Sequence, residues 1–447
     1  MKSMKIVSVL PGNCLKCMSR KFSTSNSSLQ RHYELLVIGA GSGGCAVANK
    51  FASKLGAGKV GIIEPKDDHY YQPMWTLVGG GIKKLSDSGT KMSKVLPKQA
   101  DWMKTKAVSF DPVKSTVTTE SGEEVKYEYL VVAMGLQLNY NQIKGLPEAF
   151  NTDSRLCSNY DTDYLLKTFP AIQNFKGGNA IFTFPNTPIK CAGAPQKIMY
   201  LAEEYWRKNG VKDKSNILFN SSLGVIFGVK KYANSLMKVV DSRGIKLNFK
   251  RSLIEVKPDT SEAIFENLDS GDAETYKYDF MHITPPMSTP NVLKESSLVN
   301  GAGFLDVDKN TLQHVKYPNI FGIGDCTSVP TSKTAAAAAA QSGILRTNLS
   351  AVMKGNKPTA QYDGYTSCPL VTSRSKCILA EFDFDGNPLE TFPVDQGIER
   401  RTMYHMKKDV MPHIYWNLMT SGYWNGPAMF RKLMHLGMDG PEKPKES

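Results

Sequence analysis

Short apolar runs separated by amphipathic segments dominate the chain and predict β-strands joined by helices. In the clearest unit, "LLVIG" is followed by a helical segment and then by a second apolar run, "VGIIE". Short apolar runs bounded by glycine are typical of strands buried on both faces. A second series follows at "GNAIFTF", "SNILFNSS" and "IKLNFK". The pattern therefore predicts an α/β protein with two Rossmann-like domains.

The turn after the first strand carries the glycine spacing GxGxxG, and an acid ends the next strand. The first glycine permits a tight turn, the second admits a pyrophosphate, and the third lets helix and strand pack closely. The free N–H groups of the helix start can bind phosphate, and the acid can bind a ribose hydroxyl. The residues predicted to hold a dinucleotide here are Gly39, Gly41, Ser42, Gly43, Gly44 and Glu64.

Two later strands complete this domain. The strand in "YEYLVVAMGLQL" leads to Gly135, and "HVKYPNIFGIGD" ends at Asp325, ahead of an alanine-rich helix. With the glycine turn, these segments resemble the FAD domain of flavoproteins that have two dinucleotide-binding domains. The resemblance implies FAD, with Asp325 on its ribityl chain. It also implies a FAD-binding domain formed by 34–150 and 300–345, and a second Rossmann-like domain at 151–299.

The loop that opens the second domain is unusual. In NADH-using relatives the strand there leads into another glycine-rich turn, but here it leads into "PNTPIKCAGAPQK". Prolines remove N–H donors, and the glycine spacing is missing, which argues against NADH as electron donor. Cys191 stands before a predicted helix and between Lys190 and Lys197. A helix start and nearby cations both stabilise a thiolate, so Cys191 is a candidate reactive thiol.

The C-terminal part, 346–447, ends in a basic, methionine-rich and aromatic stretch at 400–436. Its prolines and glycines predict several short helices, and its composition suits insertion into one leaflet of an anionic membrane. The alternative is a methionine-rich dimer face or core cap. The chain contains no apolar run long enough to span a bilayer.

Charge and cysteine usage narrow the functional classes. The net charge is +13, and residues 1–33 carry six lysines and arginines before Glu34, as in a mitochondrial presequence. Nucleic-acid binding is disfavoured because no basic run matches a recognition pattern. The eight cysteines are scattered, which fits a reducing compartment with one or two reactive thiols. No metal site is expected.

Several segments resemble the mitochondrial branch of sulfide:quinone oxidoreductase: "FPNTPIKCAGAPQKIMYL", "YYQPMWTLVG", "FGIGDCTSVPTSKTAAA" and "YDGYTSCPLVT". The resemblance runs from about Tyr33 to Met438. It implies that Cys191 and Cys368 form a redox pair near the flavin. Hydrosulfide would then leave a persulfide on Cys368, electrons would pass through FAD to ubiquinone, and glutathione or sulfite would take the sulfane sulfur.

The resemblance assigns further positions. Gln72 matches a flavin-contacting residue, and Ala107 matches a residue whose backbone meets the adenine. Lys197 and Lys407 either hold the thiolate or reduced flavin electrostatically, or are solvated surface lysines. The expected location is peripheral, on the matrix side of the mitochondrial inner membrane. Cys45, Cys326 and Cys377 are expected to pack rather than react, and Cys157 has no sequence context that supports a reactive role.

Two alternatives remain open at this stage. One is a type 2 NADH:quinone oxidoreductase, which the missing second glycine turn disfavours. The other is a catalytically silent flavoprotein that acts as a redox sensor or scaffold.

Overall fold

The computed structural model describes residues 30–436, so the predicted presequence lies mostly outside the described residues. The strands are β1 (His32–Ile38), β2 (Val60–Ile63), β3 (Asp68–Tyr70), β4 (Gly89–Lys91), β5 (Asp101–Met103), β6 (Ala107–Asp111), β7 (Thr116–Thr119), β8 (Glu124–Val132), β9 (Gln137–Leu138), β10 (Leu156–Cys157), β11 (Gly178–Phe184), β12 (Ser215–Ser221), β13 (Lys246–Phe249), β14 (Arg251–Lys257), β15 (Glu262–Asn267), β16 (Ala273–Lys277), β17 (Phe280–His282), β18 (Met287–Ser288), β19 (Ile320–Gly322), β20 (Thr366–Val371) and β21 (Cys377–Phe382). The helices are α1 (Ser42–Leu55), α2 (Trp75–Gly79), α3 (Met92–Val95), α4 (Leu146–Thr152), α5 (Thr162–Asn174), α6 (Ala194–Lys208), α7 (Lys230–Ser242), α8 (Asn291–Lys294), α9 (Ala335–Val352), α10 (Arg401–His405), α11 (Met411–Ile414) and α12 (Ala428–Met434).

The first sheet is the predicted dinucleotide-binding sheet. Its strands run in the order β5-β2-β1-β8-β7-β6, and β19 pairs with the end of β8. The strands β5, β2, β1, β8 and β19 are parallel, with Val37 opposite both Ile62 and Val131. Helix α1 covers this sheet and packs against α9. The glycine turn, Glu64 and Asp325 therefore all lie at the carboxyl edge of one parallel sheet, where such folds bind ligands.

The second sheet has the order β10-β17-β11-β12-β13, and all its pairings are parallel. Strand β11 and helix α6 enclose the cysteine loop, and α6 has the bounds of the helical segment "APQKIMYLAEEYWRK". A proline stands in its first turn, where a missing N–H costs nothing. These two sheets confirm the expected α/β class with Rossmann-like architecture.

The boundaries between the two domains differ from the sequence-based ones. Strand β1 begins at His32, inside the segment assigned to the presequence, because Tyr33 is buried on the sheet. Phe150 packs with the core of the second sheet rather than the first. Leu293 and Leu298 already belong to the first core, so the chain returns there before residue 300. The short helices α4 and α8 carry the Phe150 and Leu293 contacts, and the residue pattern alone does not show which sheet each helix covers.

The C-terminal region consists of a hairpin followed by helices. Strands β20 and β21 pair antiparallel, with Cys368 opposite Ala380, and pack against the second sheet. The following helix runs from Arg401 to Met419 without a break, because a wide π turn at Met406–Val410 joins α10 to α11 and a second at Tyr415–Met419 extends α11. We call this segment the C-terminal helix. The expected break at Pro412 was wrong, since this proline occupies the first turn of α11.

Two kinds of feature are absent from residues 30–436. Across residues 30–436, none of the helices is long and apolar enough to cross a membrane. Over the same range, no three side chains of the histidine, cysteine, aspartate or glutamate type are grouped so that they could hold a metal ion.

Candidate active site

Cys191 is held in a strained conformation between β11 and α6. Its φ is +57°, in the left-handed region that residues other than glycine rarely adopt. Its N–H donates to the carbonyl of Lys333 at 2.7 Å, and its carbonyl accepts from the N–H of Ala194 at 2.8 Å. Strain of this kind persists only where the surroundings fix it, and it clusters at functional sites.

The loop brings Cys191 against Cys368 of β20. The two Sγ atoms lie 3.1 Å apart, although 177 residues separate them in the chain. A covalent disulfide has an S–S distance of about 2.05 Å, so the two sulfurs are in contact but not bonded. A shift of about 1 Å would bring them to disulfide distance. Gly193 makes the approach possible, since a Cβ at that position would lie 2.5 Å from Sγ of Cys368.

Lys197 provides the charge beside this pair. Its Nζ lies 3.2 Å from Sγ of Cys191 and 3.9 Å from Sγ of Cys368, one turn into α6. Hydrogen bonding from Cys368, together with the charge of Lys197, holds the pKa of Cys191 well below its usual value. The same hydrogen bond and burial raise the pKa of Cys368. Cys191 is therefore the thiolate of the reduced pair, and Cys368 is the thiol that donates to it.

Two more lysines border the site, the buried Lys407 and the half-buried Lys190. Lys407 lies in the first π turn of the C-terminal helix and donates to the carbonyl of Pro73 at 2.7 Å. Burial and the nearby charge of Lys197 lower the pKa of Lys407 to about 8. Lys190 donates to Oε1 of Gln72 at 2.9 Å, and burial lowers its pKa to about 8 as well. Neither Lys197 nor Lys407 is a solvated surface residue, because only 4% and 2% of their surfaces are exposed.

The glycine turn fits a dinucleotide. Gly39 has a φ of +91°, and a Cβ there would lie 2.6 Å from the carbonyl oxygen of Ala133. A Cβ on Gly44 would lie 1.9 Å from the carbonyl oxygen of Gly39, which explains the close contact of helix and strand. Around Gly41, by contrast, no described heavy atom lies within 4 Å of a built Cβ. That open space at the start of α1 is what a pyrophosphate requires.

Two backbone hydrogen bonds orient the carboxylate of Glu64 so that it can accept from hydroxyl groups. Its Oε2 accepts from the N–H of Ala40 at 2.9 Å, and its Oε1 accepts from the N–H of Lys66 at 2.8 Å. Each oxygen keeps a further lone pair for a ribose hydroxyl. Asp325 follows β19, and burial raises its pKa while the nearby Lys333 opposes that shift. Both carboxylates fit the dinucleotide that the glycine turn indicates.

One connected cavity of about 1450 Å³ joins these parts. It is lined by most of the sequence-predicted residues: Gly39, Gly41, Ser42, Gly43, Glu64, Gln72, Ala107, Gly135, Cys191, Lys197, Asp325 and Lys407. Gly44 and Cys368 lie just behind its wall, Gly44 against Gly39 and Cys368 against Cys191. At its other end the cavity reaches apolar side chains of the C-terminal helix and α12, among them Met411, Leu418 and Phe430.

The other cysteines are separate from this chemistry. Cys45, Cys157, Cys326 and Cys377 are fully buried. Burial raises the pKa of Cys157 to about 12 and that of Cys326 to about 11, so both are neutral thiols at physiological pH. Cys377, the cysteine nearest in sequence to Cys368, also has a pKa raised to about 12 by burial.

A polar chain that sequence reasoning missed attaches the C-terminal helix to the glycine turn. Nδ1 of His69 lies 3.0 Å from the carbonyl oxygen of Ala40, and a carbonyl can only accept, so this nitrogen carries the proton. Nε2 of His69 must then accept from the hydroxyl of Tyr415 at 2.6 Å. That hydroxyl in turn accepts from Oγ of Ser42 at 3.0 Å. The side chain of Ser42 thus binds Tyr415, which leaves its backbone N–H for a phosphate.

Gly193 and Lys333 were also missed. The signal for Gly193 was present, since small residues flank the cysteine in "CAGA". The sequence gave no signal for Lys333. Its backbone carbonyl accepts from Cys191, a contact that any residue could make, and its Nζ donates to the carbonyl of Thr327 at 2.7 Å.

Comparison with known proteins agrees with this geometry. The family model described as pyridine nucleotide-disulphide oxidoreductase matches residues 33–168. The mitochondrial sulfide:quinone oxidoreductase of Mus musculus is 54% identical over 411 residues, which cover 92% of this chain and 91% of the relative. The chain belongs to the sulfide:quinone oxidoreductase family. The Dictyostelium discoideum sulfide:quinone oxidoreductase is 43% identical and covers 93% of this chain, with 92% of its own length matched.

A solved structure shows the same fold. The sulfide:quinone oxidoreductase from Aquifex aeolicus has a TM-score of 0.74 against this chain, covers 91% of it with 95% of its own chain, and is 20% identical. Membership of the sulfide:quinone oxidoreductase family establishes a FAD-dependent oxidoreductase, and the glycine turn, Glu64 and Asp325 fit that cofactor. The mouse and Dictyostelium relatives are both named mitochondrial, so this member is mitochondrial as well. The comparisons do not favour the NADH-dependent or the silent alternative.

Proposed function

We propose that this chain oxidises hydrogen sulfide through the Cys191/Cys368 pair and passes two electrons through FAD to ubiquinone. The observation that carries the proposal is the 3.1 Å contact between the two sulfurs, with the ammonium of Lys197 3.2 Å from Cys191. Two cysteines this close can form a bridge, and a buried cation beside one of them decides which sulfur leaves when the bridge opens.

The different pKa values of the two thiols direct the first step. Hydrosulfide attacks Sγ of Cys368 in the oxidised bridge, a new S–S bond forms there, and the bond to Cys191 breaks. The products are a persulfide on Cys368 and a thiolate on Cys191. Thiolates of low pKa leave faster in thiol–disulfide exchange, and Cys191 is the cysteine with the lowered pKa.

A second nucleophile completes the sulfur chemistry. Glutathione or sulfite attacks the outer sulfur of the persulfide and removes it, so Cys368 becomes a thiolate. The Cys191/Cys368 bridge then re-forms as the pair gives up two electrons. When bound, FAD accepts these electrons and delivers them to the quinone.

The lysines stabilise the charged states of the pair. Lys197 offers its ammonium to either sulfur, at 3.2 and 3.9 Å, and the thiolates raise its pKa against the effect of burial. Lys407 adds a second positive charge from the C-terminal helix. Buried cations at these distances favour thiolate over thiol much more strongly than they would in water.

The exposed apolar side chains near the C-terminus support peripheral binding to a membrane. Met429 is 77% exposed and Leu433 69% exposed on α12, and Tyr423 just before it is 68% exposed. Large apolar side chains on a short basic helix suit insertion into one leaflet. Residues of α12 and the C-terminal helix line the cavity, so a lipid-soluble quinone would enter it from the bilayer on this side. We place this surface on the matrix face of the inner membrane, in line with a presequence that directs the chain to that compartment.

Separate additions of sulfide and NADH to the purified FAD-bound protein test the proposal. We expect sulfide to bleach the flavin absorbance, a short-tail ubiquinone to restore it, and NADH to leave it unchanged. Bleaching by NADH alone would support the NADH-dependent alternative. No response to either reductant would support the silent flavoprotein.

A further inference from the structure

A second cavity, of about 500 Å³, lies outside the active site and has basic side chains around it. It is formed where the α2–β4 connection, the β20–β21 turn and the start of the C-terminal helix meet. We call it the basic groove, and its lining residues are Gly81, Ile82, Lys83, Arg374, Ser375, Arg401, Tyr404, His405 and Lys408. None of them lines the cavity that contains Cys191.

Negative charge around the groove does not balance the positive charge. Asp409 follows the lining residue Lys408, and its carboxylate contacts Lys408 at 2.6 Å, His405 at 3.0 Å and Lys83 at 3.9 Å. The exposed side chain of Arg401 makes no hydrogen bond or ion pair within residues 30–436. The lining includes four lysine and arginine side chains, Lys83, Arg374, Arg401 and Lys408, against two carboxylates that contact lining residues, Asp409 and Glu204.

The arginine opposite the helix is fixed in place. The guanidinium of Arg374 donates to the carbonyl oxygens of Gly80 at 2.6 Å and Gly81 at 3.0 Å, while its backbone N–H binds Glu204. These carbonyls are neutral acceptors, so the charge of Arg374 remains available to the groove. A guanidinium that is already oriented loses little entropy when it binds an anion, which favours a compact oxyanion with several acceptors.

We propose that the basic groove is a binding site for a phosphate group. The groove is large enough for such a group, its cations come from three separate chain segments, and Ser375 adds a hydroxyl to the lining. A phosphate would relieve the repulsion among the four cations. The group could belong to an anionic phospholipid, since the C-terminal helix continues from the groove to the exposed Val410 and Leu418, or to a free phosphate compound. The lipid source rests on the membrane binding proposed above, whereas the phosphate chemistry does not.

The test uses the full FAD-bound chain and two double variants of equal charge. Arg401→Gln/Lys83→Gln removes two cations of the groove, and Lys98→Gln/Lys354→Gln removes two exposed lysines elsewhere. One arm measures binding to neutral phosphatidylcholine vesicles with and without anionic phosphatidylglycerol. The other arm measures the melting temperature in inorganic phosphate and in chloride at equal ionic strength. Sulfide-driven reduction of a short-tail quinone serves as the check on folding and catalysis.

We expect the groove variant to reduce quinone with sulfide at the parent rate. We also expect it to lose either its preference for anionic vesicles or its stabilisation by phosphate, whereas the control variant keeps both. A loss of about fivefold or more in affinity for the anionic vesicles alone assigns the site to a lipid headgroup. A loss of phosphate-induced stabilisation alone assigns it to a free phosphate compound. If both arms give the same result for the groove and control variants, the proposal is wrong. A groove variant that loses sulfide oxidation while binding both probes normally would also contradict it, without bearing on the function of the cysteine pair.

Discussion

The ammonium nitrogen of Lys197 lies 3.2 Å from the sulfur of Cys191. Both groups are carried by one short segment, because the cysteine ends the loop and the lysine is in the first turn of α6. The hydrogen bond from Cys191 to the carbonyl of Lys333 holds the loop in the conformation that makes this contact. The contact connects the α6 sequence directly to the chemistry of the thiol.

Replacing Lys197 with methionine should raise the pKa of Cys191, since the thiolate loses its nearest cation while its burial is kept. Less thiolate would then be present at neutral pH. A rise of one unit corresponds to about 1.4 kcal/mol, so alkylation of the reduced protein at pH 7 should slow by about tenfold and recover at higher pH. The pH profile of Cys191 alkylation, followed by mass spectrometry, measures this. Lys98→Met is the control and should leave the profile unchanged.

Gly193→Ala should separate the sulfurs without disturbing the dinucleotide site. The added Cβ would lie 2.5 Å from Sγ of Cys368 and 2.4 Å from Cδ2 of Leu370, so β20 must move away. We expect the variant to bind FAD but to reduce it with sulfide at least about tenfold more slowly, since a 1 Å misplacement can cost up to 100-fold. Gly228→Ala is the matched control, because no described atom lies within 4 Å of its built Cβ. Equal rates in the two variants would contradict this role for Gly193.

The buried His69 should make stability depend on pH. Burial lowers its pKa to about 4, whereas the unfolded chain has the ordinary value of 6.5. Between these two pH values the imidazole is protonated in the unfolded state but neutral in the folded state. The free energy of unfolding is therefore unaffected by His69 above about pH 6.5 and decreases as the pH falls toward 4. Thermal melting across this range should show a flatter pH dependence in His69→Gln than in the parent chain. His282, with a pKa lowered by burial to about 3, should keep its own contribution in both proteins.

The exposed apolar residues of α12 should carry membrane affinity. Met429→Gln/Leu433→Gln should bind neutral vesicles about tenfold or more weakly, since each apolar side chain contributes about 1.5–3 kcal/mol when fully buried. Val113 and Val315, 84% and 61% exposed, provide the control double variant Val113→Gln/Val315→Gln. Flavin reduction by sulfide should be unchanged in both. Equal vesicle binding by the two variants would assign α12 to a dimer face or core cap.

Much of the fold was predictable because local patterns determine it. The apolar runs of β1, β2, β11 and β12 and the period of α6 each identify their element without knowledge of its neighbours. Domain boundaries were less predictable. Phe150 and Leu293 are both apolar residues in short connecting segments, and the sequence does not show that they pack on different sheets. The break expected at Pro412 failed because π turns re-form the hydrogen bonding around it.

The candidate site also contains residues that local sequence patterns predict and residues that they do not. The glycine turn and Glu64 follow from spacing, since their residues are close in the chain. Pairing Cys191 with Cys368 across 177 residues required the family resemblance, as spacing carries no information at that distance. The chain from Ser42 through Tyr415 to His69 was invisible for the same reason. Its members become neighbours only when the C-terminal helix packs against the glycine turn.

Three serine variants of the purified FAD-bound protein test the redox pair most directly. Serine keeps the size of each side chain but neither ionises near neutral pH nor forms a bridge. We expect Cys191→Ser and Cys368→Ser to retain FAD and to lose sulfide-driven quinone reduction by at least about 100-fold, as for a nucleophile that acts in covalent catalysis. Cys377→Ser should turn over at nearly the parent rate, because that buried thiol only packs. Near-parent turnover in Cys191→Ser or Cys368→Ser, measured as quinone reduction by sulfide, would contradict the pairing.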